Sequence, residues 1–359
     1  MGLTPSADLA IETVEPIADA RWSALAATAA QASIFHHPAW LRLLAEQYGY
    51  EIVACLARGE RDEPVAGLPL AIVRSRLTGS RLVALPFSDA CPPLLAPGAP
   101  AGAIGALAGG LDALRRAHGL ELQVRHAIAI DSARVVPSFH HHVLSLAGGG
   151  DPLRERARPA VRRAVAKARR QGVMIERSTD REALDTFYRL HLDTRRRQGM
   201  PTQPRRFIRA FSALFELGLG FVMLARLGTR AIAGAVFLGD RRTLTYKYGA
   251  SDVAFLDRRP NNLLFAEAIG YGVEHGFERL DFGRTDFDNP GLRTFKLGWG
   301  ATEHELAYTY LAAPGREGTD ERVPSHGGGR AGRALSAAIK RGPVGLGRAV
   351  GQVLYRHVG

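Results

Sequence analysis

The sequence predicts an α/β protein built of two similar lobes. Three observations carry that expectation. At 359 residues the chain is long enough for about two domains, each with its own core. Both halves read as strands alternating with helices. Gly148-Gly149-Gly150 interrupts the chain near its middle, where three residues without a Cβ weaken any regular element. The expected division is therefore residues 1–150, residues 151–312 and a basic tail over 313–359.

Taken in order, Ala39 to Tyr48 reads as a short helix after Pro38. Glu51 to Ala57, Pro64 to Val73 and Ser80 to Leu85 are strands, joined by polar or glycine-bearing turns. Gly102 to His118 is a helix, and Leu120 to Arg125 and Phe139 to Leu146 are strands. In the second half, Pro152 to Gln171 reads as one basic helix stopped by Gly172, followed by a strand from Val173 to Arg177. Asp180 is placed to cap a helix that carries Ala183, Leu184, Phe187, Leu190 and His191 on one face. Arg205 to Leu217 is a further helix. Phe221 to Arg226, Ala231 to Leu238 and Thr243 to Gly249 are expected as three adjacent antiparallel strands. A helix over Asn262 to His275 buries Phe265, Ala268, Ile269, Gly272 and Val273 and ends at Gly276. Leu280 to Phe282 and Glu305 to Leu311 close the pattern, with a glycine- and charge-rich loop between them. The tail is glycine-rich at Gly327 to Gly329 and then weakly amphipathic, which predicts loose order.

Composition narrows the chemistry. Apolar content of 46% is that of a globular chain, and no apolar run approaches the ~20 residues that span a bilayer. The N-terminus lacks a signal-peptide layout. Its Met1-Gly2-Leu3-Thr4-Pro5-Ser6 fits the loose myristoylation pattern, a match read as chance in an Ala-, Arg- and Gly-rich chain of bacterial character. Two cysteines are too few for a disulfide framework, so a cytoplasmic location is expected. The net charge of +12 suits a polyanionic partner. Residues 153–170 carry eight Lys/Arg against one Glu, and residues 313–359 eight Lys/Arg against three Asp/Glu. The tail is thus a candidate for peripheral contact with an anionic membrane.

Five constellations could carry function. Arg258, Arg259, Asn261 and Asn262 precede or open a helix, whose N–H groups and dipole attract anions such as a donor phosphate. Asp281, Arg284 and Asp286 sit at a strand end, where α/β folds place reactive groups. The letters DFG here do not signal a kinase, because no glycine-rich nucleotide loop, strand lysine or HRD-like loop accompanies them. Phe295-Lys296 supplies a cation able to stabilise charge developing on a carbonyl oxygen or phosphate. Ser88, Asp89 and Cys91 lie in a proline-framed turn and suit an acceptor site; nothing in the sequence brings His36 or His37 beside Cys91. His140 and His142 share a strand face, but no carboxylate or cysteine at ligand spacing supports a metal, and none is expected.

The segments YKYGASD, RPNNLLFAEAI, HGFERLDFGRTD and GLRTFKLGWG together resemble the C-terminal half of the Fem-type branch of the GNAT acyltransferase superfamily. LPFSDACPPLL and FHHPAWLRLLAEQYGYE are similar to its N-terminal half, so the likeness runs from about residue 30 to about residue 312. The resemblance implies two tandem GNAT-like lobes, each a mixed, largely antiparallel sheet flanked by helices. It implies transfer of an acyl or aminoacyl group onto an amine. Phe295 and Lys296 match the family's catalytic pair, with Asp281, Arg284 and Asn262 in the same motif block. The chain departs from the family in lacking a long coiled-coil arm between Asp180 and Leu217, and it lacks the RxxGxG/A loop of acetyl-CoA enzymes. The co-substrate is accordingly open between acyl-CoA and aminoacyl-tRNA, with no tightly bound cofactor expected.

These readings combine into direct attack by a neutral amine on an ester or thioester carbonyl. Lys296 would steady the oxyanion or a donor phosphate, and Asp281 or Asp286 would orient the acceptor or relay its proton. Arg158, Arg162 and Arg163 could hold an anionic acceptor such as a nucleotide sugar or polysaccharide, with Tyr246, Ser88 and Asp89 as further substrate contacts. Lys296→Ala is expected to spare folding and cost turnover about a hundredfold. The alternatives are an acyl-CoA-dependent N-acetyltransferase and a non-catalytic scaffold that docks through its basic tail.

Overall fold

The computed structural model describes residues 9–148, 150–317 and 329–357. The Met1–Ser6 pattern, Gly149 and Gly327–Gly328 lie outside them. Two compact units divide the chain. One comprises the described residues of Met1–Phe139, Glu305–Pro324 and Arg356–Gly359, the other those of His140–His304 and Ser325–Tyr355.

The first unit contains β1 (Ala10–Val14), α1 (Ala20–Thr28), α2 (Pro38–Tyr48), β2 (Glu51–Arg58), β3 (Pro64–Val73), β4 (Arg81–Ala84), β5 (Leu94–Leu95), α3 (Ala103–His118) and β6 (Glu121–Val124). Its sheet runs β1-β2-β3-β4-β6, with β5 on β3. All pairs are antiparallel except β4 with β6, which α3 connects. β3 is buried along nearly its whole length, so its apolar run is continuous rather than alternating. β1 and α1 were not expected: Glu12 and Glu15 hide a short strand, and α1 has only three buried residues, Trp22, Leu25 and Ala26. The chain then passes to the second unit inside β7 (Arg134–Ser145) and returns inside β13 (Thr302–Leu311), whose end pairs with β6.

The second unit contains α4 (Pro152–Glu155), α5 (Pro159–Arg170), β8 (Val173–Ser178), α6 (Arg181–Gln198), α7 (Arg205–Glu216), β9 (Gly220–Leu227), β10 (Arg230–Asp240), β11 (Thr243–Ser251), α8 (Pro260–Glu274), β12 (Arg279–Thr285), α9 (Pro290–Gly298), α10 (Arg330–Arg341) and α11 (Val344–Leu354). Its sheet order is β7-β12-β11-β10-β9-β8, antiparallel except for β11 with β12. Each unit therefore has four antiparallel strands, a connecting helix and a parallel strand. Both are mixed, largely antiparallel sheets flanked by helices, as expected. The second core gathers Val161, Val165, Leu244, Phe265, Ile269, Leu280, Phe282 and Trp299.

Three sequence readings need correction. The basic helix expected over Pro152–Gln171 is broken in two. Arg158, the residue before Pro159, is held extended at φ −59°, ψ 149°, as the proline ring requires. The loop expected before Phe295-Lys296 is instead helix α9, started by Asn289, whose side chain accepts from the Leu292 N–H at 3.1 Å, and by Pro290 at the first helical position.

The tail is not loose where it is described. α10 and α11 pack on α6, burying Ile339. The Thr202 N–H donates to the Gly347 carbonyl at 3.0 Å, and Arg195 reaches the Tyr355 hydroxyl at 2.8 Å. A Cβ at Gly351 would run into the Thr202 carbonyl, so only glycine fits this approach. Gly351→Ala should therefore cost about 1–3 kcal/mol of stability, read as a lowered urea midpoint with earlier proteolysis in the tail.

Candidate active site

The second unit concentrates the expected site residues around the place where β11 and β12 separate. Their ladder covers only Thr243–Thr245 against Arg279–Asp281, although β11 continues to Ser251 and β12 to Thr285. Asp281 thus stands at the last paired position. Alternation sends Leu244, Leu280 and Phe282 into the core with α8, and Thr245 and Asp281 to the opposite face. A bulge follows on β12: the register with β7 slips between Asp281 and Arg284, where Gly283 takes φ +69°.

Two clusters flank this bulge. On the face of Asp281, its carboxylate accepts from the Gly283 N–H at 2.7 Å and contacts His141 Nε2 at 2.8 Å. Arg284 is paired with His141 in the ladder and is half-buried. On the face of α8, Lys296 is buried and donates to the carbonyls of Gly283 and Arg284, both at 2.9 Å. Glu303 takes two bonds from Arg293, at 2.7 and 2.8 Å, and one from His142 at 3.0 Å. The Arg293 hydrogen bonds hold the Glu303 carboxyl down at about 2. Burial lowers His142 to about 4, helped by the nearby Lys296 cation and opposed by Glu303.

Aromatic packing ties the motifs together. Phe265 on α8 lies 4.8 Å from Tyr246, 5.1 Å from Phe282 and 5.4 Å from Phe295. Burial pushes the Tyr246 phenol up to about 12, so it stays neutral. The helix-start motif differs in detail from the sequence reading. Arg259, in the left-handed region at φ +59°, is the N-cap residue, and Pro260 holds the first helical position. Asn261 and Asn262 lie within the first turn and are not caps. No side chain caps this end and no acidic residue occupies its first turn, while Arg258 and Arg259 flank it.

Other candidates are placed less centrally. Asp286 is exposed in the turn ahead of α9. The Arg158 N–H donates to the Gly298 carbonyl at 2.8 Å, and its side chain is exposed. Arg162 folds back onto the carbonyls of Arg154 and Ala157, at 3.3 and 2.5 Å, bracing the α4–α5 break. In the first unit, Ser88 is fully buried, its Oγ has no hydrogen-bond partner, and its carbonyl accepts from Arg125. The Asp89 carbonyl accepts from the Tyr308 hydroxyl at 2.6 Å.

The fold does bring a histidine to Cys91. His36 Nε2 lies 3.6 Å from its Sγ. Both groups are fully buried. Burial raises the thiol to about 12 and lowers the imidazole to about 4, and His36 Nε2 also meets the Pro92 carbonyl at 3.0 Å. The pair is packing, not a thiolate nucleophile. Among the described residues, no group of three or more His, Cys, Asp or Glu is arranged to hold a metal ion.

Residues 155–304 match the acetyltransferase (GNAT) domain model. This stretch is similar in sequence to that family. The match contains the β11–β12 parting, the α8 start and Lys296. No curated protein matches the sequence. Among solved structures, FemX is similar at 17% identity and TM-score 0.68, over 84% of this chain and 97% of that one. The C-terminal domain of a putative lysylphosphatidylglycerol synthetase from Agrobacterium fabrum is similar at 12% identity and TM-score 0.55, over 81% and 90%. A tandem GNAT protein of clavulanic acid biosynthesis is similar at 13% identity and TM-score 0.51, over 85% and 99%. These likenesses show the tandem GNAT fold, and the matched stretch supports acyl transfer in general terms. Among the described residues no helix is long and apolar enough to cross a membrane.

Three residues of the site were missed from sequence. His141, Arg293 and Glu303 meet their partners only through strand pairing or across a helix. Parity along His140-His141-His142 was the available signal: it assigns His141 to the opposite face from its neighbours.

Proposed function

We propose that this protein passes an acyl or aminoacyl group from a phosphate-bearing carrier, acyl-CoA or aminoacyl-tRNA, directly to an amine. The observation that carries the reading is the parting of β11 and β12 at Thr245 and Asp281, in a unit whose helix α8 starts directly after two arginines. Parted strands offer backbone groups to an extended carrier arm. A helix start without acidic residues suits the carrier's phosphates. Tyr246 and Phe295 pack on Phe265 at the α8 face and back the bulge from the side away from Asp281. Lys296, held by two backbone carbonyls, acts as a positioning residue that fixes the bulge carrying Asp281 and Arg284.

The acceptor in this reading is an amine on an anionic scaffold of the cell envelope, a polysaccharide or a nucleotide sugar, with Arg158 and Arg163 exposed at the start of α5 to meet it. A named lysylphosphatidylglycerol synthetase among the structural neighbours supports an envelope-related acceptor. Both carriers are cytoplasmic molecules, and that compartment follows from the reading.

The test is a thermal-shift comparison of CoA esters with aminoacyl-tRNA, followed by mass-spectrometric detection of amide product. One carrier class should raise the melting temperature and yield product; silence from both classes overturns the reading. Arg258→Ala/Arg259→Ala should raise the carrier's KM about tenfold or more with kcat nearly unchanged, since these arginines bind the non-reacting part. An unchanged KM would remove the helix start from carrier binding.

A further inference from the structure

We propose that His141 is the general base of the transfer step and that Asp281 positions it. This rests on the acyl-transfer reading and adds the group that takes the amine's proton. The two side chains come from β7 and β12, 140 residues apart in sequence, and meet at 2.8 Å between His141 Nε2 and Asp281 Oδ1. Both are mostly but not wholly buried, at 17% and 15% exposure, so a substrate can reach them while bulk water is thinned out.

The hydrogen bonds assign the protons. Asp281 Oδ1 also accepts the Gly283 N–H, so the carboxylate is the acceptor in both contacts. His141 Nε2 therefore carries a hydrogen, and Nδ1 is the basic nitrogen. A carboxylate on one ring nitrogen fixes the tautomer and stabilises the imidazolium formed when the other nitrogen takes a proton.

Position supplies the second argument. Asp281 is the last residue of β12 paired with β11, so the dyad stands where the strands begin to part. It lies on the face away from α8, with Thr245 beside it in register. The Thr245 hydroxyl is 2% exposed and has no hydrogen-bond partner, an unmet polar group at this junction. Arg284, paired with His141, places a cation on the same face. The His142–Glu303 pair on the other face is a poor base by comparison, because Arg293 and Lys296 surround it with positive charge.

The step balances without a co-reactant. The amine nitrogen forms a bond to the carbonyl carbon, and one N–H proton passes to His141 Nδ1. The carbon–sulfur or carbon–oxygen bond to the carrier breaks. The imidazolium then returns the proton to the departing sulfur or oxygen, leaving amide and free carrier.

The experiment measures the pH dependence of kcat/KM for amide formation in the wild type, His141→Gln, His141→Ala and Asp281→Asn, with the carrier that the wild type uses. His141→Gln should lose about 10²–10⁴-fold in rate and its acid limb should vanish. Asp281→Asn should keep an acid limb but displace it, and free imidazole should restore part of the rate to His141→Ala. A His141→Gln rate and limb like those of the wild type overturns the proposal, as does a loss of rate with an unaltered limb and no imidazole rescue. Should the His141 variants fail to fold, an undisplaced limb in Asp281→Asn overturns it alone. No product from the wild type with either carrier defeats the acyl-transfer reading itself, a result distinct from an active wild type that does not need His141.

Discussion

Lys296→Met is expected to lower turnover about a hundredfold and to destabilise the fold by about 1–3 kcal/mol. The sequence suggests a lysine whose loss spares folding; the structure buries it to 2% exposure and commits its ammonium to two carbonyls at 2.9 Å. Methionine keeps most of the volume but cannot donate. The Gly283 and Arg284 carbonyls would then be left without this donor, and buried acceptors left unmet cost more than the bond itself contributes. The bulge would be free to relax, moving Asp281 and Arg284 together, and small misplacements at a reacting centre cost rate steeply. Steady-state kinetics beside a denaturant titration separates the two effects. Lys296→Arg should recover part of the stability but little of the rate, because a fork-shaped guanidinium does not repeat the ammonium's geometry. Near-normal turnover in Lys296→Met would exclude Lys296 from the mechanism.

The second large effect is loss of stability on mild acidification. His36 and His191 are buried, and burial lowers their imidazoles to about 4 and about 3. Hydrogen bonds partly oppose that burial, from the Pro92 carbonyl and the Ser33 backbone at His36, and from Gln203 at His191. His142 is lowered to about 4 as well. An unfolded chain takes up these protons first, starting near the ordinary imidazole value of about 6.5. Stability is therefore fully present above that value and declines as pH falls toward 4, by up to ~3 kcal/mol for each fully buried ring. Glu303, held at about 2, adds a further loss below the ordinary carboxylate range. Unfolding free energies measured by urea between neutral pH and pH ~4 should fall steadily. His191→Gln should flatten that slope. A flat profile in the wild type would show that these rings are not neutral in the native state.

Most of the fold was legible where a single local rule decides the outcome. The apolar run Pro64–Val73 behaves as read, and the strand read over Thr243–Gly249 forms and runs on to Ser251, because burial and β propensity agree there. α9 was hidden because Pro290, Gly291 and Gly298 look like loop residues, although Asn289 and Pro290 are a helix start. The α4–α5 break was visible in principle: Pro159 forbids a helical Arg158, yet the basic periodicity ran across it. For the candidate site, motif order singled out Phe295-Lys296 and Asp281 as candidates. The His141–Asp281, His142–Glu303 and His36–Cys91 contacts were not legible, since separations of 140, 161 and 55 residues leave no local trace.

The passage of the chain through β7 and β13 has a practical meaning. The strand that pairs with β12 begins before the glycine break, and the strand that pairs with β6, Thr302–Leu311, comes only after the whole of the second unit's sheet. A fragment cut at residue 150 would strip β12 of the His140–Ser145 edge and leave Asp281 without its imidazole. Neither half should fold as a contiguous segment cut there, so recombination at the glycine break should destroy the pair.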